Sequence, residues 1–196
     1  MTSIADGVKP APRPSVARDR LLRTAGRLFY AEGIRSVGVD RVMAEAEVAR
    51  GTFYRHFQGK EDLVRAYLEA TDQGIRARVA AAAAGTRDPA VLLLLVADDI
   101  GAELCGDGFR GCPFINAAAE YADRQSPVHQ AVLNHRAWFH QVVEDAFRGV
   151  GNSAPAQAAD SMVALRDGAM VAGYLNDPMT ARRTLAHGTS ALLAAG

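Results

Sequence analysis

Two short helical segments separated by a very short break occupy residues 39–60. The first places apolar side chains at helical spacing at Val39, Val42, Met43 and Ala46. Residues 47–49 interrupt that pattern, and the second segment, 50–57, carries Phe53 and Phe57 one helical turn apart. Two short helices that meet at a tight turn form a helix-turn-helix. The chain must therefore adopt a fold that presents this motif.

The second segment and its continuation resemble a known DNA-reading motif. The similarity is carried by Gly51-Thr52-Phe53-Tyr54-Arg55-His56-Phe57 and Lys60-Glu61-Asp62-Leu63, which resemble tetracycline-repressor-like (TetR family) regulators. The resemblance covers residues 15 to about 68. It implies an all-α protein with an N-terminal helix-turn-helix DNA-binding domain and a C-terminal helical ligand-binding and dimerisation domain.

The motif departs from the family pattern at two places. The turn that usually reads Ala-Gly-Val is Ala46-Glu47-Val48, so Glu47 is expected to accept a backbone angle that suits glycine. The Thr-Ser pair that usually caps the first helix of the motif is replaced by Val37-Gly38. A cap must then come from the Gly38 backbone or from Asp40, and the phosphate contact of those hydroxyls is in doubt.

Helical spacing continues through the rest of the chain, and no stretch alternates with the period of a strand. Proline at helix starts and glycine after helix ends punctuate the pattern. The first predicted helix runs from the N-cap Ser15 to a stop at Gly33, and the helix after the motif runs from Lys60 to about Ala84. The next two run from Pro89 to about Leu104 and from Pro113 or Phe114 to about Asp123. The last three cover residues 127–148, 155–175 and 178–194. The predicted domains are a disordered arm (1–14), a DNA-binding domain (15–62) and a ligand-binding and dimerisation domain (63–196).

Charge is distributed unevenly along a chain whose formal net charge is zero. Residues 1–65 hold 12 basic and 8 acidic side chains, a net charge of +4, whereas residues 66–196 carry −4. This asymmetry suits a DNA-binding head on a body that does not touch phosphate. The arm 1–14, with Lys9 and Arg13 among its prolines, is either an inert tail or a basic arm that reaches DNA beside the motif.

Composition excludes several classes of protein. No apolar run is long enough for a membrane span, and the Pro-rich N-terminus is not a secretory signal. Two cysteines cannot form a disulfide framework, which fits a reducing cytoplasm. There is no nucleophile–base arrangement and no phosphate-binding loop, so we expect no enzyme activity and no cofactor.

A helical wheel assigns roles within the second helix of the motif. With Phe53 and Phe57 facing the core, Gly51, Thr52 and Arg55 point toward DNA, and Arg50 opens the helix where it penetrates the groove most deeply. Arg50, Gly51 and Thr52 are therefore predicted to meet base edges. The predicted phosphate contacts are Tyr54, His56 and Lys60.

The C-terminal domain is expected to enclose a modest apolar pocket for a neutral or weakly polar organic effector. Its predicted lining is Phe114, Asn116, Tyr121, Trp138, Phe139, Met162, Leu165, Met170 and Tyr174. In the segment 111–120, Asn116 and Glu120 share one helix face, either at a pocket rim or in close helix packing. The dimer surface is predicted on small and apolar residues of the last two helices, namely Ala158, Ala159, Met162, Leu165, Ala169, Ala172, Leu185, Thr189, Leu192 and Leu193.

Cysteine and histidine patterns offer two further interpretations. Cys105 and Cys112 flank a glycine-rich loop, as buried inert thiols or as a redox switch. The spacing of His129, His135 and His140 does not favour a metal site. The expected function is a homodimeric repressor that binds a palindromic operator and is released by a small apolar molecule. The alternatives are a redox-responsive regulator acting through the two cysteines, or a helical small-molecule-binding protein.

Overall fold

The computed structural model describes residues 15–195 and contains nine α-helices and no strand over that range. The expected arm, residues 1–14, lies outside the described residues. The helices are α1 Val16–Glu32, α2 Val39–Glu45, α3 Arg50–His56, α4 Lys60–Gly85, α5 Pro89–Leu104, α6 Pro113–Glu120, α7 Pro127–Gly149, α8 Pro155–Leu175 and α9 Pro178–Ala194. The predicted all-α fold with an N-terminal helix-turn-helix is confirmed.

Local sequence signals set most helix boundaries. Proline opens each of α5 to α9, where its missing N–H leaves no backbone group unpaired. The side chains of Ser15, Asp88, Ser126 and Asp177 accept hydrogen bonds from backbone N–H groups of the first turn of their helices. The prediction for α6 was wrong at its C-terminus, because the helix ends at Glu120 rather than near Asp123.

The first three helices, called the head below, enclose a small core. α1 packs against α2, α3 and α4. Phe53 and Phe57 are buried, as predicted, and their rings lie 5.7 Å apart. Leu21, Leu28 and Val42 are fully buried and belong to the same hydrophobic core. This packing fixes α3 on the rest of the head with its other face in solvent.

The turn of the motif has the strained backbone that the sequence predicts. Glu47 adopts φ +52°, the only positive φ of a non-glycine residue among the described residues. The Arg20 guanidinium donates to the Glu47 carbonyl oxygen at 2.6 Å and so fixes the turn to α1. No side chain caps α2, and the Asp40 carboxylate bonds elsewhere.

α4 is continuous from the head into the remaining helices, called the body below. It packs against α7, while α9 packs against both α5 and α8. Within residues 15–195, none of the helices combines the length and the apolar character that crossing a bilayer requires.

Several residues predicted at a dimer surface instead pack α8 against α9 within one chain. Ala159, Met162, Leu185 and Thr189 are fully buried in the single chain, and the Thr189 hydroxyl lies 3.3 Å from the Met162 sulfur. An apolar stripe on a helix does not show whether its neighbour belongs to the same chain, so that part of the prediction was wrong.

Candidate functional site

The solvent face of α3 carries most of the predicted DNA contacts. Arg50, Gly51 and Arg55 are exposed, Tyr54 is half exposed and Thr52 is partly buried. A Cβ atom added to Gly51 would meet nothing within 4 Å, so the backbone there is open to a close approach. Cationic, hydroxyl and bare-backbone groups on one exposed helix face are suited to the edges of bases and to phosphates.

Arg50 is held by an acid of the neighbouring helix. Its Nη2 donates to the Asp40 Oδ1 at 2.6 Å, and both side chains are largely exposed. Asp40 lies in the first turn of α2. The wheel did not identify this partner because it is ten positions away in sequence.

His56 and Lys60 also bond within the protein. The His56 Nε2 lies 3.1 Å from the hydroxyl of Ser15, and the Lys60 ammonium donates to the Arg35 carbonyl oxygen at 3.2 Å. Burial lowers the pKa of Lys60, and the nearby Glu120 carboxylate opposes that shift. Both side chains therefore fix the ends of α1 and α4 in addition to any contact with phosphate.

Two surface acids of the head, Glu32 and Glu45, are paired with arginines. Arg41 bridges Glu32 and Glu45, and Arg27 also bonds Glu45. Hydrogen bonds from these arginines lower the pKa of both carboxyl groups. Pairing keeps the acids ionised but leaves little uncompensated negative charge to repel DNA.

The head is joined to α6 and the residues before it by five hydrogen bonds, called the head–α6 junction below, one of which runs from the Arg35 guanidinium to the Glu120 carbonyl oxygen at 2.7 Å. The Glu120 carboxylate accepts from the backbone N–H groups of Ile34 (2.9 Å) and Arg35 (2.6 Å). The Tyr30 hydroxyl donates to the Gly111 carbonyl oxygen and accepts from the Arg110 N–H, both at 2.9 Å. Both ends of α6 are thus tied to the head. Glu120 was predicted on a pocket rim or packing face, and its role at this junction was missed.

A cleft of about 310 Å³ lies between these two attachment points. Phe29 lines it from α1 and Tyr67 from α4, and Asn116 and Tyr174 line it from α6 and α8. Asn116 donates its amide to the Arg110 carbonyl oxygen at 2.9 Å. Two predicted pocket residues, Asn116 and Tyr174, are therefore brought together at this cleft.

A polar cluster connects α4 to α7 inside the body. The Nδ1 of buried His135 lies 2.7 Å from the Asp72 carboxylate, which also accepts from Arg76 at 2.6 Å. Arg76 lies 4.4 Å from the ring centroid of Trp138, and Phe114 stacks on His135 at 3.7 Å. Trp138 and Phe114, both predicted to line a pocket, here pack against this cluster.

A second buried cluster surrounds Arg166. Its guanidinium donates to the Cys112 sulfur at 3.3 Å and to Asp167 at 2.8 Å. Burial alone would raise the pKa of Asp167, but hydrogen bonds from Arg136 and Arg166 outweigh it and lower that pKa. Sequence reasoning missed Arg166, since an arginine on an Ala-rich helix gives no sign of being buried.

A small cavity between α4, α5, α7 and α8 brings together two more predicted pocket residues. Phe139 and Met170 line it with His135, Arg166 and Glu103, and its volume is about 20 Å³. Burial raises the pKa of Glu103. The remaining predicted residues lie elsewhere: Met162 in the α8–α9 core, and Tyr121 at the end of α6, where its carbonyl oxygen lies 2.7 Å from the His129 Nδ1. The predicted pocket residues therefore do not form a single site.

An open apolar groove runs along α8 and α9. Its volume is about 450 Å³, and it is lined by Leu165 and mostly by small residues such as Ala164, Gly168 and Ala172. Leu165 fits so closely against Gly188 that a Cβ there would lie 2.5 Å from a Leu165 methyl. Toward the end of α8 and at the start of α9, Val171, Tyr174, Leu175 and Met179 are exposed.

The two cysteines have different neighbours. Cys112 lies beside Arg166, whereas the Cys105 thiol lies 3.5 Å from the Met179 sulfur, and both are free thiols. His129, His135 and His140 each bond an oxygen of the protein. Among residues 15–195, no three side chains of the metal-binding types cluster around a common point.

A helix-turn-helix with a cationic exposed second helix, placed on an all-helical body, defines a DNA-binding protein. Residues 21–67 match the model of the family described as bacterial regulatory proteins, tetR family. The crystal structure of a TetR-family transcriptional regulator from Streptomyces coelicolor is 50% identical, with a TM-score of 0.88 over 91% of this chain and 95% of that chain. The chain therefore belongs to the TetR family of transcriptional regulators.

More distant relatives agree with this assignment. The HTH-type transcriptional regulator LmrA of Bacillus subtilis is 26% identical over 171 residues, 86% of this chain and 89% of LmrA. NemR of E. coli, solved in its reduced form, is 23% identical with a TM-score of 0.73 over 89% of this chain and 96% of NemR, and it shares the fold.

Proposed function

We propose that this regulator is a cytoplasmic homodimeric repressor that binds a palindromic operator and is released by a small organic effector. Residues 15–62 would form the DNA-binding domain and residues 63–196 the ligand-binding and dimerisation domain. The observation that carries the proposal is the exposed face of α3, where Arg50, Gly51 and Arg55 face solvent while Phe53 is buried beneath them. Dimerisation is part of the proposal because one recognition helix reads few base pairs, whereas a two-fold pair reads a palindrome.

The α8–α9 groove supports a second copy of this chain as the dimer partner. Small residues such as Ala164 and Gly168 allow helices to approach closely, and a partner there would cover the open apolar surface of the groove. An isologous contact of two such faces forms a four-helix interface across a two-fold axis.

The effector is proposed to enter the body at the cavity lined by Phe139 and Met170. In this structure the cavity has room for about one water molecule. A ligand would therefore have to move the surrounding helices apart. The lining combines apolar side chains with five polar or charged ones, Arg78, Asp99, Glu103, His135 and Arg166. This favours an organic molecule that has both an apolar part and a polar group.

DNA binding is tested by gel shift and fluorescence anisotropy with fragments upstream of the gene. Arg50→Ala or Thr52→Ala should weaken binding to the operator by about 1–3 kcal/mol and relax sequence preference. Lys60→Ala should weaken binding to all DNA alike and lower the salt slope by about one. If no fragment is shifted at low salt, the small-molecule-binding alternative is favoured instead.

Effector binding can be followed through Trp138, the single tryptophan. Trp138 contacts Arg76 and lies beside His135, which itself lines the body cavity. A true effector should change its emission at the concentrations that release DNA. Release without any change in emission would place the effector site elsewhere.

A redox-responsive regulator is the second candidate, favoured by the contact between Arg166 and Cys112. The guanidinium Nη2 lies 3.3 Å from the sulfur of Cys112, which is a free and buried thiol. Cys105 and Cys112 bond different partners, so a switch would use Cys112 alone. Treatment with hydrogen peroxide should then release DNA from the wild type and from Cys105→Ser but not from Cys112→Ser. If the wild type and both variants respond equally to peroxide, the redox-responsive regulator is excluded.

A further inference from the structure

Asp40 and Arg50 form an ion pair across the two helices of the motif. The Arg50 Nη2 donates to the Asp40 Oδ1 at 2.6 Å on the solvent side of the head. Side-chain exposure is 65% for Arg50 and 73% for Asp40. A pair this exposed adds little to folding stability. The ion pair therefore matters more for DNA binding than for folding stability.

Among the ion pairs of the described residues, this is the one that involves α3. Arg55 lies on the same helix and is also exposed, yet no described acid pairs with it. The other paired acids of α1 and α2, Glu32 and Glu45, bond Arg27 and Arg41, which lie on their own two helices. Asp40 is thus distinguished by its contact with a predicted base-reading residue.

A carboxylate on one N–H of a guanidinium has two consequences. It fixes the plane of the guanidinium while leaving other N–H groups free, and bidentate contact with guanine O6 and N7 requires such a fixed plane. It also places a negative charge where a phosphate would have to approach Arg50, so phosphate binding at this position becomes less favourable. Both effects favour contact of Arg50 with a base over contact with the phosphate backbone of DNA.

We propose that Asp40 is a specificity-determining residue that positions Arg50 for guanine and keeps it from serving as a phosphate contact. This inference rests on the proposed function, in which Arg50 reads the operator. Asp40 acts through Arg50, so it is a positioning residue whose removal should alter discrimination more than folding.

The test measures the dissociation constants of full-length protein for the upstream operator fragment and for random DNA of equal length. Asp40→Asn should lower the ratio of specific to non-specific affinity by at least about tenfold, the scale of one base contact. Non-specific affinity should stay constant or rise. Asp40→Ala, which cannot donate an amide hydrogen bond, should behave in the same way.

The matched control is Asp19→Asn, which removes one negative charge from the head on α1. Asp19 forms no ion pair within residues 15–195. Its substitution should leave the affinity ratio unchanged, which separates loss of charge from loss of the contact with Arg50. Circular dichroism melts should show that all variants fold.

A double-mutant cycle connects the effect to Arg50. Arg50→Ala should lower the ratio, and adding Asp40→Asn should lower it no further. Fully additive losses, or a ratio for Asp40→Asn equal to that of the wild type, would overturn the inference. If the wild type itself binds no fragment, both the proposed function and the inference fail. If it binds well and Asp40→Asn discriminates equally well, the inference alone fails.

Discussion

Glu47 holds the turn of the helix-turn-helix in the left-handed backbone region, at φ +52°. A side chain in this region clashes with its own backbone, at a cost of about 1–2 kcal/mol. The turn persists because Val48 is buried on one side and Arg20 bonds the Glu47 carbonyl oxygen on the other. The carbonyl contact involves the backbone, so it does not depend on the identity of the side chain.

Glu47→Gly should therefore stabilise the protein. Relief of strain exceeds the extra chain entropy of glycine in the unfolded state, which leaves a net gain of roughly 0.5–1 kcal/mol. The free energy of unfolding is measured by urea denaturation. Gln73→Gly, in the exposed middle of α4, is the control and should destabilise by about 1 kcal/mol. A loss of stability in Glu47→Gly would show that the turn carries no strain.

His135 makes folding sensitive to acid. Burial lowers the pKa of His135, and the hydrogen bond to Asp72 only partly opposes this, while Arg166 and Arg76 add to the lowering. Because the folded pKa lies below the unfolded value of 6.5, the unfolded chain binds more protons as the pH falls. The contribution of neutral His135 to the free energy of unfolding is fully present above pH 6.5 and is lost as the pH falls below that value.

The free energy of unfolding should therefore decline between pH 7 and pH 5, with a slope of at most about 1.4 kcal/mol per pH unit from this one group. His135→Gln should flatten that decline although it lowers stability at neutral pH. His187→Gln, at an exposed position on α9, provides the comparison and should retain the wild-type slope. An unchanged slope in His135→Gln would assign the acid sensitivity to other groups.

At the scale of elements, α6 is the helix that connects the head to the interior of the body. Its last residue, Glu120, bonds the loop after α1, and its Phe114 stacks on His135. A displacement of the body helices that moves Phe114 would therefore also strain the head–α6 junction. The proposed effector cavity shares His135 with this stack, which gives it a contact route to the head.

Glu120→Gln should loosen the junction without unfolding the protein. The amide retains one acceptor oxygen but turns an NH2 group toward the second backbone N–H, a loss of about 1 kcal/mol. Hydrogen exchange should accelerate at the amides of Ile34 and Arg35. Glu69→Gln, which alters an exposed α4 pair with Arg65, should leave those amides unchanged. Equal protection in both variants would mean that the carboxylate does not hold the head.

The helix starts were predicted well from the sequence because the signals that start a helix act on neighbouring residues. Proline marks the starts of α5 to α9 by itself, as predicted, and the structure adds capping side chains at Asp88, Ser126 and Asp177. The end of α6 could not be predicted in this way, since the chain leaves the helix at Glu120, where contacts with Arg35 replace further helical turns.

The functional side chains also divide into those that a local sequence pattern predicts and those that it does not. A helical wheel placed Gly51, Thr52 and Arg55 on the DNA-facing side of α3, because Phe53 and Phe57 define its buried side. Gly51 and Arg55 are exposed, whereas Thr52 is partly buried. The partners Asp40 and Arg166 were missed, since the contacts that define them join separate helices. The predicted pocket residues lie at several separate places in the structure, because aromatic side chains fill cores as readily as they line cavities.

At the scale of the whole molecule, reading a palindrome requires two heads at a fixed separation, which the α8–α9 face would set. Gly168 lies on this face, and a Cβ added there would meet nothing within 4 Å in the single chain. Gly168→Glu should therefore leave the protomer folded, with a gain in helix propensity. In a dimer, it would place a charge in an apolar, closely packed interface.

We expect Gly168→Glu to shift the protein to a monomer in analytical ultracentrifugation and to weaken operator binding steeply, since each half-site would then be bound alone. Gly74→Glu is the matched control, because its added Cβ also meets nothing within 4 Å and it is exposed on α4. That variant should remain dimeric and bind DNA as the wild type does. If Gly168→Glu stays dimeric, the two-fold contact lies on another face of the body, and the separation of the two heads would have to be derived from that face instead.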